Sequence, residues 1–556
     1  MAEISIQAMI DTAIAQGRRS VEVPEGTYRF SERLLLRDAH DLVLDGHGAT
    51  FIFAERRSAG ISVENCHGFT LRNLTIDHDP VPFTQGAVTD IDPAGTWLDV
   101  AIDRGYDMTV ETFQQNRAMH HFDAATLGFK HDGAWMGPKS VTSPRPGVFR
   151  AGFLDSVHSS RYNVETGDLF AFTAERPSHA IALVESWETR VEDITVLSSP
   201  GTGVLEVGGG GARLRYRILP GPRPVGAARD RLLSTCADGL WSVGTKVGAQ
   251  LDGCEMEYVG DTGVNIHGSY VQAVQVSGDS VTVRRVHAKA YLAAGDRLLV
   301  YGRDYRLKGE TVIKAVAGEV LHVADGSEVQ AGDFLLSPDR VGSGAAIRNS
   351  VFREVEWEAA LMRVSDGVFE HNFVDRTTGV GIWLGPEFGV YVEPDFVRRF
   401  AIRGNTFRGI GFIRPSRYES DLALGVISVG VAVPFMGRVE DTRPLFDVFH
   451  GNHQNEDILI QDNVVEGCAV CGLHISNASR VRVEGNRFTG TNCLPPLEAG
   501  RLYGGTPPAA MFVRDSHEVT FAHNRVSDLG PYGRQALVVD PSAGKVRVPD
   551  LENDPE

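Results

Sequence analysis

Ile460-Gln-Asp-Asn463-Val-Val465 and Val483-Glu-Gly-Asn486-Arg-Phe488 are one phrase written twice, an apolar alternation that turns at an asparagine, and the two asparagines are 23 residues apart. Asn349 and Asn372 have the same separation, and the phrase returns in Leu71-Arg-Asn73-Leu74, Ile402-Arg-Gly-Asn405-Thr-Phe407 and Phe521-Ala-His-Asn524-Arg-Val526. A period in this range, with no helical spacing inside it, marks stacked one-turn units. Strand phrases separated by polar turns specify an all-β parallel β-helix, in which asparagines stack as ladders inside the turns. These asparagines are therefore read as holding turns, not as doing chemistry. Ahead of the repeat, residues 6–14 place apolar side chains at helical spacing. Gly17 ends that run, and residues 21–28 alternate like a strand, so an N-terminal helical cap is expected.

Two stretches break the period, residues 82–175 and 269–338. They share a phrase: Gly167-Asp168-Leu169-Phe-Ala-Phe172, Gly295-Asp296-Arg-Leu298-Leu-Val300 and Gly332-Asp333-Phe-Leu335. A tight turn feeding an alternating strand, used three times, points to small antiparallel β modules inserted into the solenoid to wall a site. The expected organisation is cap and first coils at 1–81, module one at 82–175, coils at 176–268, module two at 269–338, coils at 339–545 and a frayed acidic tail at 546–556.

With 54 Lys+Arg against 72 Asp+Glu in 556 residues, the formal net charge is −18, which argues against nucleic acid as a partner. The chain is 42% hydrophobic and 23% charged, with mean hydropathy −0.12. No apolar run approaches the roughly 18 residues of a membrane span, so no membrane partner is expected. The N-terminus lacks a basic start followed by an apolar stretch, which reads as cytoplasmic. Six cysteines are too few for a disulfide scaffold, and Cys468-Ala-Val-Cys471 has no second pair at zinc-site spacing. Self-association is left open, a homo-oligomer included.

The chemistry concentrates in Ser234-Thr-Cys-Ala-Asp238-Gly239-Leu-Trp241 and Tyr258-Val-Gly260-Asp261-Thr262-Gly263-Val-Asn265-Ile-His267-Gly268. Asp238 and Asp261 are 23 residues apart, one turn of the repeat, and are expected directly above each other on neighbouring coils. At a strand spacing of about 4.8 Å their carboxylates fall within roughly 5 to 8 Å. Stacked like charges are unfavourable for folding, but the separation suits a general acid and base on a glycosidic bond, one with a raised pKa. Asp before Gly is also a turn signature, so a purely structural role stays open. Trp241, Tyr258, Asn265 and His267 lie close by and supply the stacking and hydrogen-bonding groups that sugar sites use. His120-His121 with Asp123 is a poor metal cluster, because adjacent strand residues face opposite ways.

Asp77-His-Asp79-Pro-Val-Pro-Phe83-Thr-Gln-Gly86, Leu232-Leu-Ser-Thr-Cys-Ala-Asp238-Gly and Gly260-Asp261-Thr-Gly-Val-Asn265-Ile-His267-Gly resemble stretches of glycoside hydrolase family 110, the α-1,3-galactosidases. The resemblance runs over nearly the whole chain. It implies a right-handed β-helix carrying the two inserts as small barrels, no metal or other cofactor, and hydrolysis with inversion through a cluster of aspartates. By motif position Asp238 matches the aspartate proposed as acid, and Asp261 the first of an adjacent pair that activates water. Thr262 stands where the family has the second aspartate. Aligning Ile347-Arg-Asn349 through Leu361 on the turn before module two puts Glu358 in the column of Thr262 and Trp357 in that of Asp261. A carboxylate is thus expected to have moved one coil along, making Glu358 the third catalytic candidate.

That stretch tends to be basic in the family but here reads Glu354-Val-Glu356-Trp-Glu358, which suits a different sugar or a cationic group on the substrate. Glu356 and Trp357 join Trp241, Asn265 and His267 as candidate substrate-binding residues. Gly379-Val-Gly-Ile-Trp383-Leu-Gly385 and Phe388-Gly-Val-Tyr391-Val-Glu393 fall where the family has an aromatic and a glutamate that hold the sugar, adding Trp383 and Glu393. Trp383 and Tyr391 read equally well as core filler, and Glu393 as a charged edge residue.

The leading expectation is an inverting exo-glycoside hydrolase acting on an α-linked galactoside or related small glycan, with a small oligosaccharide or glycoside as its partner. A β-helix polysaccharide lyase or uronate epimerase is the second reading, but it needs positive charge or Ca²⁺ against the uronate carboxylate, and the cluster is acidic. The third is a non-catalytic glycan-binding solenoid in which Thr262 marks a decayed site.

Overall fold

Short strands with alternating burial, each too small to bury its apolar face alone, stack here so that every coil covers the one before it. The computed structural model describes residues 5–553 apart from 58–59, 115–117, 132, 134–135, 155, 158–162, 175, 177, 287–290, 389–390, 413–424, 432–448 and 496–507. A 12-stranded parallel sheet, from Leu34–Arg37 to Gln535–Val539, forms one face of the solenoid, and a 20-stranded parallel sheet supplies the other faces. The architecture is a right-handed parallel β-helix. Its lumen is filled by apolar side chains stacked coil on coil; Phe352, Phe369 and Phe407, for example, have centroids 6.3 and 6.2 Å apart.

The N-terminal end is closed by the helix Ile6–Ala15, which buries Ile6, Ile10 and Ala13. Ser5 caps it by accepting from Ala8 N. Gln7 takes the place of a neighbouring strand: its amide donates to Leu35 O and accepts from Leu35 N, satisfying the exposed sheet edge.

The asparagine ladder runs from coil to coil, each side-chain oxygen accepting from the backbone N–H of the residue above. The links are Ser350 N to Asn372 (2.9 Å), Asn372 N to Asn405 (2.9 Å), Asn405 N to Asn463 (3.0 Å), Asn463 N to Asn486 (2.9 Å) and Asn486 N to Asn524 (3.1 Å). Two asparagines of the sequence phrase stand outside it. The coils around them pair Ala346 with Val368, an offset of one residue from the expected register, so Ser350 and not Asn349 precedes Asn372. Asn349 is exposed at φ +49° and donates to Asp252, while Asn73 donates to Asp45.

Residues 83–173 hold a six-stranded antiparallel sheet with its own apolar core, and residues 270–336 a closed six-stranded barrel. The shared Gly-Asp phrase is a turn that caps itself. Asp168, Asp296 and Asp333 each accept from the backbone N–H three residues back, all at 2.8 Å, and each also binds a lysine. The glycines before them have φ of +99°, +91° and +98°, which a side chain would strain. Module one is fixed to the coils by Arg229 on Asp103 and by Gln85, which bonds the backbone at 230 and 232, while Arg231 of the same loop grips both oxygens of Asp77 on the coil strand Thr70–His78. The loop so anchored leads directly into Asp238.

The acidic tail differs from its expected frayed state: Arg547–Asn553 adds a parallel strand to His517–Asp528, and the last three residues lie outside the described ones. Backbone pairing outweighs composition there. All six cysteines are free, five of them buried. Among the described residues no helix is long and apolar enough to cross a membrane.

The Glu206 carboxyl is buried on the lumen side. Glu206 alternates with Leu205 and Val207, which face the other way, and it accepts from Ser242 Oγ (2.7 Å) and Ala212 N (3.3 Å). Burial pushes its pKa up to about 7. The folded state therefore holds a proton that the unfolded chain releases at the ordinary carboxylate pKa, so stability falls as pH rises from about 4.5 to about 7 and is level above. Glu206→Gln should unfold at higher denaturant than the parent at pH 8, by up to about 3 kcal/mol, with the difference vanishing near pH 4.

Candidate active site

Four neighbouring coils build the site. Strands Leu240–Val243, Val264–His267, Ala360–Met362 and Ile382–Leu384 pair in parallel, with Trp241 beside Asn265, Asn265 beside Leu361 and Leu361 beside Trp383 on the outward face. Leu240, Val264, Ala360 and Ile382 fill the lumen. The turn before each strand is tight: Gly239 N donates to Thr262 O and Gly263 N to Glu358 O. A Cβ on Gly239 would lie 2.5 Å from Gly263 O, and one on Gly263 2.6 Å from Ala359 O, so the residues just ahead of these glycines are held in one column.

That column is Asp238, Thr262, Glu358. The pairing Leu240 with Val264 sets an offset of 24 between these coils, so Asp238 stacks on Thr262, and not on Asp261 as its 23-residue spacing implied. Val264 pairs with Ala360, which places Glu358 above Thr262 and Trp357 above Asp261. Thr262 Oγ1 donates to Glu358 Oε2 at 3.2 Å. Asp261 stays close enough for its charge to act on Asp238 and on Glu358. Its own carboxylate accepts from Arg176 Nη1 at 2.9 Å.

Module one supplies the wall. Arg176 lies on the segment returning from it, and His120, on its strand Ala118–Phe122, is buried against Glu356. His121 turns the other way, to Asp168 at 2.8 Å, as adjacent strand residues do. Glu354 binds the module's Phe129 N and also Arg376, so the acidic stretch 354–358 divides its work. Two of its glutamates dock the module and one faces Asp238's column.

On the other side Arg363, 2% exposed, donates to Asn265 Oδ1 (3.2 Å) and binds both Glu387 (3.0 Å) and Glu393 (3.1 Å). Glu393 Oε1 is 3.3 Å from His267 Nε2, to which Trp241 Nε1 donates at 2.9 Å. Trp241 thus keeps a half-buried ring whose N–H is aimed at the floor of the site. Trp383 Nε1 donates to Gly430 O, and Trp383 and Trp357 are both buried, whereas Tyr391 is 38% exposed. Glu356, reserved by its contact with His120, is a wall residue. Replacing Arg363 with Met leaves Glu387 and Glu393 facing each other without their shared cation. The expected loss is about 3 to 5 kcal/mol of stability, read by urea denaturation.

The electrostatics separate the carboxyls. Burial, then the neighbouring Asp261 charge, holds the Asp238 carboxyl well above the usual carboxylate range, although the residue is only half-buried. Burial pushes Glu358 up to about 7. Burial and the Glu393 charge push Glu387 up to about 8, against the pull of Arg363. Burial raises Glu356, with His120 opposing. A site of this kind stores protons next to an arginine-held carboxylate, which is what acid–base chemistry requires.

Sequence reasoning brought Asp238, Asp261, Glu358, Asn265, His267, Trp241 and Glu393 to this place. It missed Arg176, Arg363 and Glu387. Arg363 carried a signal, an arginine continuing the alternation of a buried strand; Arg176 and Glu387 lie in irregular segments that no period reaches.

The chain is 22% identical to α-1,3-galactosidase B of Phocaeicola vulgatus over 83% of its length and 84% of that protein's. It is 21% identical to α-1,3-galactosidase A of Bacteroides fragilis over 90% of each. No family-wide sequence profile matches. Among solved structures, the Agl-KA catalytic domain aligns with TM-score 0.47 and 10% identity over 98% of this chain and 64% of that one.

Proposed function

We propose that the protein is an inverting glycoside hydrolase that removes an α-linked, and by its relatives' names α-1,3-linked, galactosyl unit from a small glycan. The observation that carries this reading is the contrast between two neighbouring aspartates. Burial and the neighbouring Asp261 charge hold the Asp238 carboxyl above the usual carboxylate range, which favours its protonated form, while Asp261 is gripped by Arg176 one residue before the column of Thr262 and Glu358. Asp238 gives its proton to the leaving glycosidic oxygen. Asp261 and Glu358, the latter steadied by Thr262 Oγ1, take the proton of the attacking water on the opposite face of the sugar. Thr262 supports a relocated carboxylate instead of marking a lost one. Trp241, with Asn265, His267 and Glu393 around it, forms the floor on which the sugar rests.

The lyase reading stays disfavoured, because Arg176 and Arg363 are both occupied by carboxylates and are not free to neutralise a uronate. Release of galactose from 4-nitrophenyl α-galactoside tests the proposal. An unsaturated, ultraviolet-absorbing product from a uronate polymer, with no galactose released, overturns it.

A further inference from the structure

The outer wall of the barrel carries a cationic groove, in a protein whose net charge is −18. Arg284, Gln272 and Phe334 stand in one cross-strand row on the adjacent strands Ser280–Arg285, Tyr270–Ser277 and Phe334–Leu336. Arg303 and Tyr305, from the turn between Arg297–Tyr301 and Leu307–Ala317, join that row to line an open groove of about 540 Å³. Among the described residues no Asp or Glu lines it. Neutral acceptors hold the two guanidiniums in place. Arg284 Nε donates to Gln272 Oε1 at 2.8 Å, and the Gln272 amide is itself fixed by donating to Gly332 O at 3.1 Å. Arg303 Nη2 donates to Ala331 O at 3.1 Å, and its guanidinium lies so close over Gly332 that a Cβ there would be 2.3 Å from Arg303 Nε. Among the described residues neither arginine has a carboxylate partner, so both charges face the groove uncompensated.

Tyr305 is a second, independent observation. It is 6% exposed, its ring stacks on the half-buried Phe334 with centroids 4.5 Å apart, and it packs on Phe388, the residue after Glu387. The phenol oxygen of Tyr270, in the same cluster, is sealed off, whereas that of Tyr305 is not. Among the described residues nothing bonds the Tyr305 oxygen. A buried phenol that reaches a groove without a partner is placed for a ligand's hydroxyl. Taking the kind of ligand from the glycosidase reading, we propose that the barrel groove is a second glycan-binding subsite, outside the catalytic cleft, for a sugar ring that carries an anion, either a carboxylate or a sulfate ester. Arg284 and Arg303 bind the anion, Phe334 takes an apolar face of the ring, and the Tyr305 hydroxyl bonds one of the sugar's own. The carboxylates of the cleft disfavour such a ligand, so its binding reports on the groove.

The test is calorimetric titration of the full-length protein at low salt with D-galacturonate, D-galactose 6-sulfate, D-galactose and acetate. At least one acidic sugar should bind about tenfold more tightly than acetate, and its affinity should fall as salt is raised. Arg284→Gln and Arg303→Gln, both at exposed positions, should each weaken that acidic sugar by about tenfold and leave D-galactose unaffected. Tyr305→Phe, which keeps the ring packing, should weaken it by about three- to tenfold. Either order of the two acidic sugars supports the subsite and tells which anion it takes. Acetate binding as tightly as the acidic sugars, which would mark a bare anion site, overturns the proposal. So does no binding of either acidic sugar, or an affinity unchanged in both arginine variants. Hydrolysis of the neutral 4-nitrophenyl α-galactoside, measured on the same samples, keeps the two failures apart. Arg303→Gln should cleave it at the wild-type rate; if the wild type does not cleave it, the glycosidase reading falls while the binding comparison still decides the groove.

Discussion

Asp238→Asn should lower turnover of an α-galactoside by about 10²- to 10⁴-fold, the range that positioned proton transfer supplies. The amide keeps the shape of the side chain and its place ahead of Gly239, so binding should change far less than the rate constant. Stability should move the other way. Asp238 enters the folded state protonated, because burial and the Asp261 charge raise its pKa, whereas the unfolded chain ionises it at the ordinary carboxylate value. Wild-type stability therefore drops as pH rises above about 4, toward the raised folded pKa, and the asparagine variant is spared that drop. At pH 7 the variant should melt at or above the wild-type temperature while being nearly inactive. A catalytic aspartate gives that combination; a turn-forming aspartate would lose stability and keep activity.

Glu358→Gln should cost a similar factor, about 10²- to 10⁴-fold, and it also changes the pH profile. As the base, Glu358 must be ionised, and with its pKa pushed up to about 7 the wild-type rate should fall on the acid side of neutrality. The alkaline limb belongs to Asp238, which must stay protonated; because the carboxyls interact, the two limbs report the cluster as a whole. In Glu358→Gln the acid limb near pH 7 should disappear from the residual activity. Asp at position 262 should restore part of the lost rate in that background, since Thr262 Oγ1 lies within 3.2 Å of the Glu358 carboxylate. If Glu358→Gln retains the full rate and both limbs, Glu358 is a bystander and the relocated-carboxylate idea fails.

The repeat phrase was enough to read the solenoid because its cause is local: each coil needs the same alternation and the same turn residue. Asn405, Asn463, Asn486 and Asn524 stand in the ladder where the phrase put them. Register was harder. Spacing of 23 residues put Asp238 over Asp261 and Asn349 beside Asn372, whereas the hydrogen-bonded offsets are 24 and 22. Turn lengths vary by a residue between coils, and only the backbone pairing records which turn took the extra one. The alignment across module two, anchored on whole turns, placed Glu358 and Trp357 in the columns that the strands give them. Arg176 and Glu387 escaped because they lie in irregular segments, one of them returning from a module that is brought to the site by docking contacts such as His120 on Glu356, which leave no periodic trace.

The central claim, direct displacement by water with Asp238 as acid and the Asp261–Glu358 side as base, is tested most directly by the configuration of the first sugar released. Proton NMR of an α-galactoside during the first minutes of hydrolysis should show the β-anomer appearing ahead of mutarotation. Initial release of the α-anomer would require a covalent intermediate on one of these carboxylates and would contradict the account.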